Sequence, residues 1–215
     1  MCLITNKILE MIKVLVGSTI IAPTIPNVVQ HINDLKPTCP GSHAHFKHAM
    51  CSMSVNFPKP TSCSTVKNEI ISRMNGDNGW LDPHNNGTYT VIDNEVVDVQ
   101  YSYGDDEDQY DGQMTKITGS RVTGNGQYTD LFTFTLLEQD SSDGNTDGGG
   151  CVLNACSESQ VFSILDFSTN YCNLRNLYCN SKDDGCPIVK YDLDYKETYI
   201  NCWQRDATKC IPNHA

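Results

Sequence analysis

Residues 62–76 read SCSTVKNEIISRMNG. Cys63, Val66, Ile70 and Met74 recur at three- and four-residue spacing, which lines them up along one stripe of an amphipathic α-helix. Ser64 is placed to cap its N-terminus and Gly76 to end it, so a helix is expected near Ser64 to Asn75. Cys63 lies on the apolar stripe, so any bridge it makes should point into the core.

Downstream the period changes from 3.6 to 2. Thr88 to Ile92, Val96 to Tyr103, Thr115 to Thr123 and Tyr128 to Leu137 are rich in Thr, Val, Tyr and Phe. In the last run Phe132, Phe134 and Leu136 share one face, and Leu131, Thr133, Thr135 and Leu137 the other. Turn signals separate the runs: Asp93-Asn94, the acidic GDDEDQYDG from Gly104 to Gly112, and Gly124-Asn125-Gly126. A further strand pair is expected at Cys151 to Ala155 and Gln160 to Phe167. One helix followed by four to six antiparallel strands predicts an α+β fold, the helix packed on one face of a β-meander. The order is similar to that of cystatin-like folds. The likeness is one of topology alone, because the Q-x-V-x-G wedge with which cystatins block cysteine proteases is missing.

The cysteines set the compartment. Cys2 falls in an N-terminal targeting region. Ten others follow: Cys39, Cys51, Cys63, Cys151, Cys156, Cys172, Cys179, Cys186, Cys202 and Cys210. An even set, absent from Met74 to Gly150 and dense afterwards, predicts a disulfide framework formed in an oxidising compartment. A zinc site in a reducing cytosol would need paired short knuckles. Only Cys151 and Cys156 approach one, and no second knuckle answers them. With three cysteines before the gap and seven after it, complete internal pairing requires at least one bridge between the two groups.

The N-terminus agrees with export. Lys7 and Lys13 precede an apolar run from Val14 to Ala22, suited to a signal-peptide core and too short to span a bilayer. The pattern is cleaner from Met11 than from Met1. Residues 1–22 are therefore read as a signal peptide, 23–61 as an irregular Pro-rich stapled extension, and 62–215 as one α+β disulfide-rich domain. No membrane span is expected in the mature chain. Hydrophobic residues make up 39% of the 215, below the usual ~45–50%, so the core is lean and covalent help is useful. A net charge of −11, with no basic cluster, excludes nucleic acid as a natural partner.

Several short polar clusters are candidate sites, each with a plainer explanation. Asp143, Asn145 and Asp147, with Gly148, match the opening of a calcium loop, but Asn154 stands where a bidentate Glu is needed. A polar hairpin connection explains the same residues. His43, His45 and His48 could offer imidazoles to zinc or copper, although no zincin spacing and no nearby carboxylate accompany them. Asn86-Gly87-Thr88 is an N-glycosylation acceptor in the turn before the first predicted strand of the meander. Asp82 and His84, in WLDPHNNG, could act as acid and base, and could equally cap and turn the chain. No nucleophile elbow, P-loop or dinucleotide fingerprint occurs. No cofactor is called for.

Three segments resemble a group of small secreted, cysteine-containing proteins of unknown function from unicellular algae and other protists. They are WLDPHNNGTYTV (Trp80 to Val91), TGNGQYTDLFTF (Thr123 to Phe134) and ACSESQVFSILDFSTNYCNLRNLYC (Ala155 to Cys179). The resemblance implies a secreted address and a similar architecture, and supplies no catalytic residues. The expectation is a secreted, non-catalytic binding or structural protein of the cell surface or medium, with an extracellular ligand or protein as partner. Two alternatives stand beside it. A small-ligand carrier would use a concave sheet face around Val99, Tyr101, Phe132 and Phe134; a secreted hydrolase would use Asp82 and His84 in a polar cleft.

Overall fold

A computed structural model of the chain describes residues 37–42, 47–103, 108–139, 150–163, 165–183 and 185–211, without the side chains of 99–103 and 108–112. Its elements run β1 (Met50–Phe57), α1 (Cys63–Met74), a 3-10 turn (Asp77–Gly79), β2 (Thr88–Tyr103), β3 (Asp108–Val122), β4 (Thr129–Glu138), β5 (Cys151–Ser159), α2 (Thr169–Arg175), β6 (Lys196–Cys202) and α3 (Ala207–Cys210). The six strands form one antiparallel sheet in the order β2-β3-β4-β5-β1-β6.

The helix forms as the stripe predicts, with Cys63, Val66, Ile70 and Met74 all buried. Its cap is Ser62 rather than Ser64: the Ser62 hydroxyl accepts from Thr65 N at 3.2 Å. Gly76, at φ +70°, takes the left-handed turn beyond the last helical residues. The sheet face toward α1 carries Met53, Val55, Ile117, Phe132, Phe134, Leu136, Leu153 and Ala155, and these side chains with the helix stripe make the core. Burying such side chains contributes ~1.5–3 kcal/mol each.

Four expectations need correction. Residues 23–61 are not irregular throughout, because β1 lies inside that stretch and pairs with β5 on one side and the edge strand β6 on the other. Its Cys51, Met53, Val55 and Phe57 alternate toward the core, a period-2 signal hidden by the flanking prolines. A single N-terminal helix leading into a meander is therefore not the observed order, since β1 precedes α1 and lies between β5 and β6. Asp93-Asn94 is not a turn: β2 runs through it, and the register against β3 slips by one residue between Val91 and Asp93, a β-bulge. Gln160–Ser163 and Leu165–Phe167 form no strand; β5 ends at Ser159, and Val161, Phe162, Leu165 and Phe167 beyond it are exposed. The tail after Tyr171 is less irregular than expected, containing most of α2 together with β6 and α3.

Five disulfides staple the domain: Cys39–Cys156, Cys51–Cys202, Cys63–Cys151, Cys172–Cys210 and Cys179–Cys186. Each of the three early cysteines bridges to the C-terminal group, so parity understated the cross-linking. Cys63–Cys151 fastens the first turn of α1 to the start of β5, on the core face. Among the described residues no helix is long and apolar enough to cross a membrane.

Candidate functional site

The turn between the 3-10 segment and β2 holds Asp82 and His84, and the structure puts them in different environments. Trp80 anchors the turn: its indole is buried, donates to the Pro187 carbonyl at 3.1 Å, and lies 5.9 Å from the Tyr89 ring. Two residues on, Asp82 is 1% exposed. Its Oδ2 accepts from Arg121 Nε at 2.9 Å, from Arg121 Nη2 and from Gly87 N at 3.2 Å. Its Oδ1 accepts from His84 N at 3.2 Å and Asn176 Nδ2 at 2.9 Å.

Arg121 reaches this carboxylate from the core face of β3, and its side chain is fully buried. Nη2 also donates to the His84 carbonyl at 2.5 Å and to Asn85 Oδ1 at 2.8 Å. The guanidinium lies 5.7 Å from the Tyr89 ring centre. Burial alone would weaken its proton affinity, but Tyr89 and Asp82 more than offset that and hold its pKa above the ordinary value. A Cβ on Gly87 would stand 2.4 Å from the guanidinium carbon, so only glycine lets the backbone approach this closely. The pair thus clasps the turn to the sheet and, through Asn176, to the end of α2.

The His84 ring makes no hydrogen bond with Asp82. Nδ1 is 2.7 Å from the Lys209 carbonyl, which can only accept, so Nδ1 carries the proton. Nε2 is then the acceptor for the Thr169 hydroxyl at 3.3 Å. Burial depresses the pKa of His84 and so favours the neutral ring, only partly opposed by the hydrogen bond to the Lys209 carbonyl. A neutral imidazole facing a hydroxyl has the chemistry of a base and a nucleophile. The setting is otherwise poor for it. The orienting group is a main-chain carbonyl, the hydroxyl is that of a threonine, and neither residue lines the neighbouring groove. That groove, of about 460 Å³, is walled by Trp80, Leu81, Pro83, Asn86, Pro187 and Ile188 among others.

Two more buried polar clusters serve the fold. Asp130, on β4 opposite Arg121, accepts from Ser159 Oγ and Asn173 Nδ2, both at 2.8 Å, which ties α2 to the sheet. Burial pushes its pKa up, against those hydrogen bonds. Glu69 and Arg73 form a fully buried i,i+4 pair on α1. Glu69 accepts the backbone N–H groups of Val189, Lys190 and Tyr191 at 2.7–2.9 Å, while Arg73 donates to the carbonyls of Asn176 and Cys179 at 2.9 Å. Burial raises the Glu69 pKa, but the backbone donors and Arg73 prevail and leave it below the ordinary value. A loop with no strand partners is held on the helix in this way.

Other sequence candidates do not converge. His48 bonds Glu158 at 2.5 Å, whereas His43 and His45 lie outside the described residues. Asp143, Asn145 and Asp147 also lie outside them. Among the described residues no three His, Cys, Asp or Glu side chains gather as metal ligands. Phe132 and Phe134 are fully buried in the core and line no open cavity; the side chains of Val99 and Tyr101 are not described. Sequence reasoning missed Arg121, Asn176 and Thr169. Arg121 was findable, since it continues the core-facing alternation Thr115, Ile117, Gly119. No protein-family model matches the chain, and no curated protein or solved structure is significantly similar to it.

Proposed function

We propose that this chain is an extracellular, disulfide-stapled protein with a binding or structural role and no catalysis of its own. The observation that carries the reading is the Asp82 carboxylate. Hydrogen bonds from Arg121, Gly87, His84 N and Asn176 occupy both of its oxygens, so it has no capacity left to steer a base. Five bridges support an oxidising address, as does the resemblance to small secreted proteins of protists. An export route also leads past the machinery that glycosylates Asn-x-Thr, which makes Asn86 a glycan acceptor and the chain a glycoprotein.

The segment after β5 supports the binding half of the proposal. Phe162, Leu165 and Phe167 are 58–67% exposed within six residues. Phe167 and Ser168 have positive φ, and Asp166 fixes this bend by accepting from Ser168 N at 3.0 Å and Asn170 N at 3.2 Å. The bend presents Phe167 to solvent instead of to the core.

A hydrolase is the second reading, and the His84–Thr169 contact is what favours it. One experiment separates the two. The secreted protein and its His84→Ala and Thr169→Val variants are assayed on a broad ester, glycoside and peptide panel. The non-catalytic reading expects no turnover by any of the three. Turnover by the parent that both variants lose, with folding intact, refutes it.

A further inference from the structure

Asn86 and Asn85 are adjacent, both left-handed (φ +55° and +61°), and differently used. The Asn85 carboxamide is built into the fold: its oxygen accepts from Arg121 Nη2 at 2.8 Å and from Gly124 N at 3.3 Å. The Asn86 carboxamide has no hydrogen-bond partner among the described residues and is exposed, as is Thr88 two residues on. Gly87 between them is held by its N–H, which donates to Asp82 Oδ2 at 3.2 Å. Asn86-Gly87-Thr88 is also the one Asn-x-Ser/Thr in the 215 residues. The motif therefore sits on a rigid, outward turn with its acceptor nitrogen free.

Asn86 is at the same time a wall of the groove described above. Next to it the groove offers Leu81, which is 70% exposed, with Pro83, Pro187 and Ile188. These are aliphatic surfaces of the kind on which the C–H face of a sugar ring packs. The volume, about 460 Å³, falls in the ~300–1,000 Å³ range of small-molecule sites. A free ligand there would meet a glycan rooted in the wall.

We propose that Asn86 carries an N-linked glycan whose first sugars lie along this groove and cover Leu81. This rests on the export reading, because the co-reactant, a polyprenyl-diphosphate-linked oligosaccharide, is met on that route. Asn86 Nδ2 attacks the anomeric carbon of the first sugar, an N–C bond forms, and the C–O bond to the diphosphate breaks. The amide loses a proton and the lipid diphosphate leaves. The attached rings, rooted in the groove wall, cover apolar surface that is otherwise in water.

The test uses the full chain expressed in a glycosylating eukaryotic host behind a host leader. The expected product is heavier by one glycan, which peptide N-glycosidase removes and which Thr88→Ala and Asn86→Gln both abolish. Thr88→Ala keeps Asn86 in its left-handed turn, so it reports on modification even where Asn86→Gln folds poorly. Hydroxyl-radical footprinting then compares the glycosylated protein with Thr88→Ala. Leu81 oxidation should fall several-fold in the glycosylated form, while Ile92, 58% exposed and outside the groove, stays unchanged. A folded, secreted product with Asn86 unmodified overturns the proposal, and equal Leu81 oxidation overturns the placement of the sugars. The host leader keeps these outcomes separate from export, which is read with the chain's own N-terminus in place of the leader.

Discussion

Replacing Asp82 with Asn should cost about 3–5 kcal/mol, the usual loss when one partner of a buried ion pair is removed. Both side chains of the Asp82–Arg121 pair are at 0% exposure, so the remaining guanidinium cannot recover its loss from water. The substituted amide also sets an N–H2 group, itself a donor, where an oxygen had accepted, so that either Gly87 N and Arg121 Nε or His84 N and Asn176 Nδ2 lose their acceptor. A domain of this size has a net stability of ~5–15 kcal/mol, so the variant retains little margin. Urea unfolding with the bridges intact reads the effect. At a slope of ~2 kcal/mol per M, the midpoint should fall by about 2 M. The companion Asp82→Asn, Arg121→Met double variant removes the orphaned charge and should regain a large part of the loss. A single-variant loss under ~1 kcal/mol, or a double variant no better than the sum of its parts, would refute the view that this pair clasps the turn to the sheet.

Gly87→Ala should destabilise by at least ~1–3 kcal/mol, because its Cβ meets the pinned guanidinium at 2.4 Å; a thermal melt like the parent's would show that Arg121 can move aside. Replacing both cysteines of Cys63–Cys151 with Ser should cost about 4–5 kcal/mol for a separation of 88 residues, against about 2–3 kcal/mol for Cys179–Cys186 at 7; denaturation of the two double variants checks the order. His84 has a folded-state pKa below 6.5, so its contribution is present above that value and is lost as pH falls through the folded pKa. Stability should therefore drop as pH falls below about 6.5, and His84→Gln should flatten that slope; an unchanged slope would place the titration elsewhere.

How far the sequence led depends on the kind of signal. The stripe of Cys63, Val66, Ile70 and Met74 and the alternation of Phe132, Phe134 and Leu136 are local patterns, and both positioned their elements correctly. Met50–Phe57 was obscured because proline density outweighs an eight-residue alternation in a linear reading, although tertiary pairing gives it a strand neighbour on both sides. The connection at Asp93-Asn94 carried turn residues yet became a bulge, since pairing with β3 continues across it. At the candidate site, Asp82 and His84 were legible as chemistry-bearing residues. What they do was not, because Arg121, Thr169, Asn176 and Lys209 arrive from elements 37 to 125 residues away. Cysteine parity gave the minimum of one cross-link between halves; which sulfurs meet is a matter of strand register, which no count reveals.

The central claim, that this is an oxidised domain whose N-terminal cysteines are stapled to its C-terminal half, is tested most directly by a non-reducing peptide map. The sample is protein recovered from the medium of cells expressing the chain and alkylated before digestion. The account predicts no alkylated residue among Cys39 to Cys210 and linked peptides joining Cys39 to Cys156, Cys51 to Cys202, Cys63 to Cys151, Cys172 to Cys210 and Cys179 to Cys186. Two or more alkylated cysteines in the folded protein, or early cysteines linked only to one another, would contradict it.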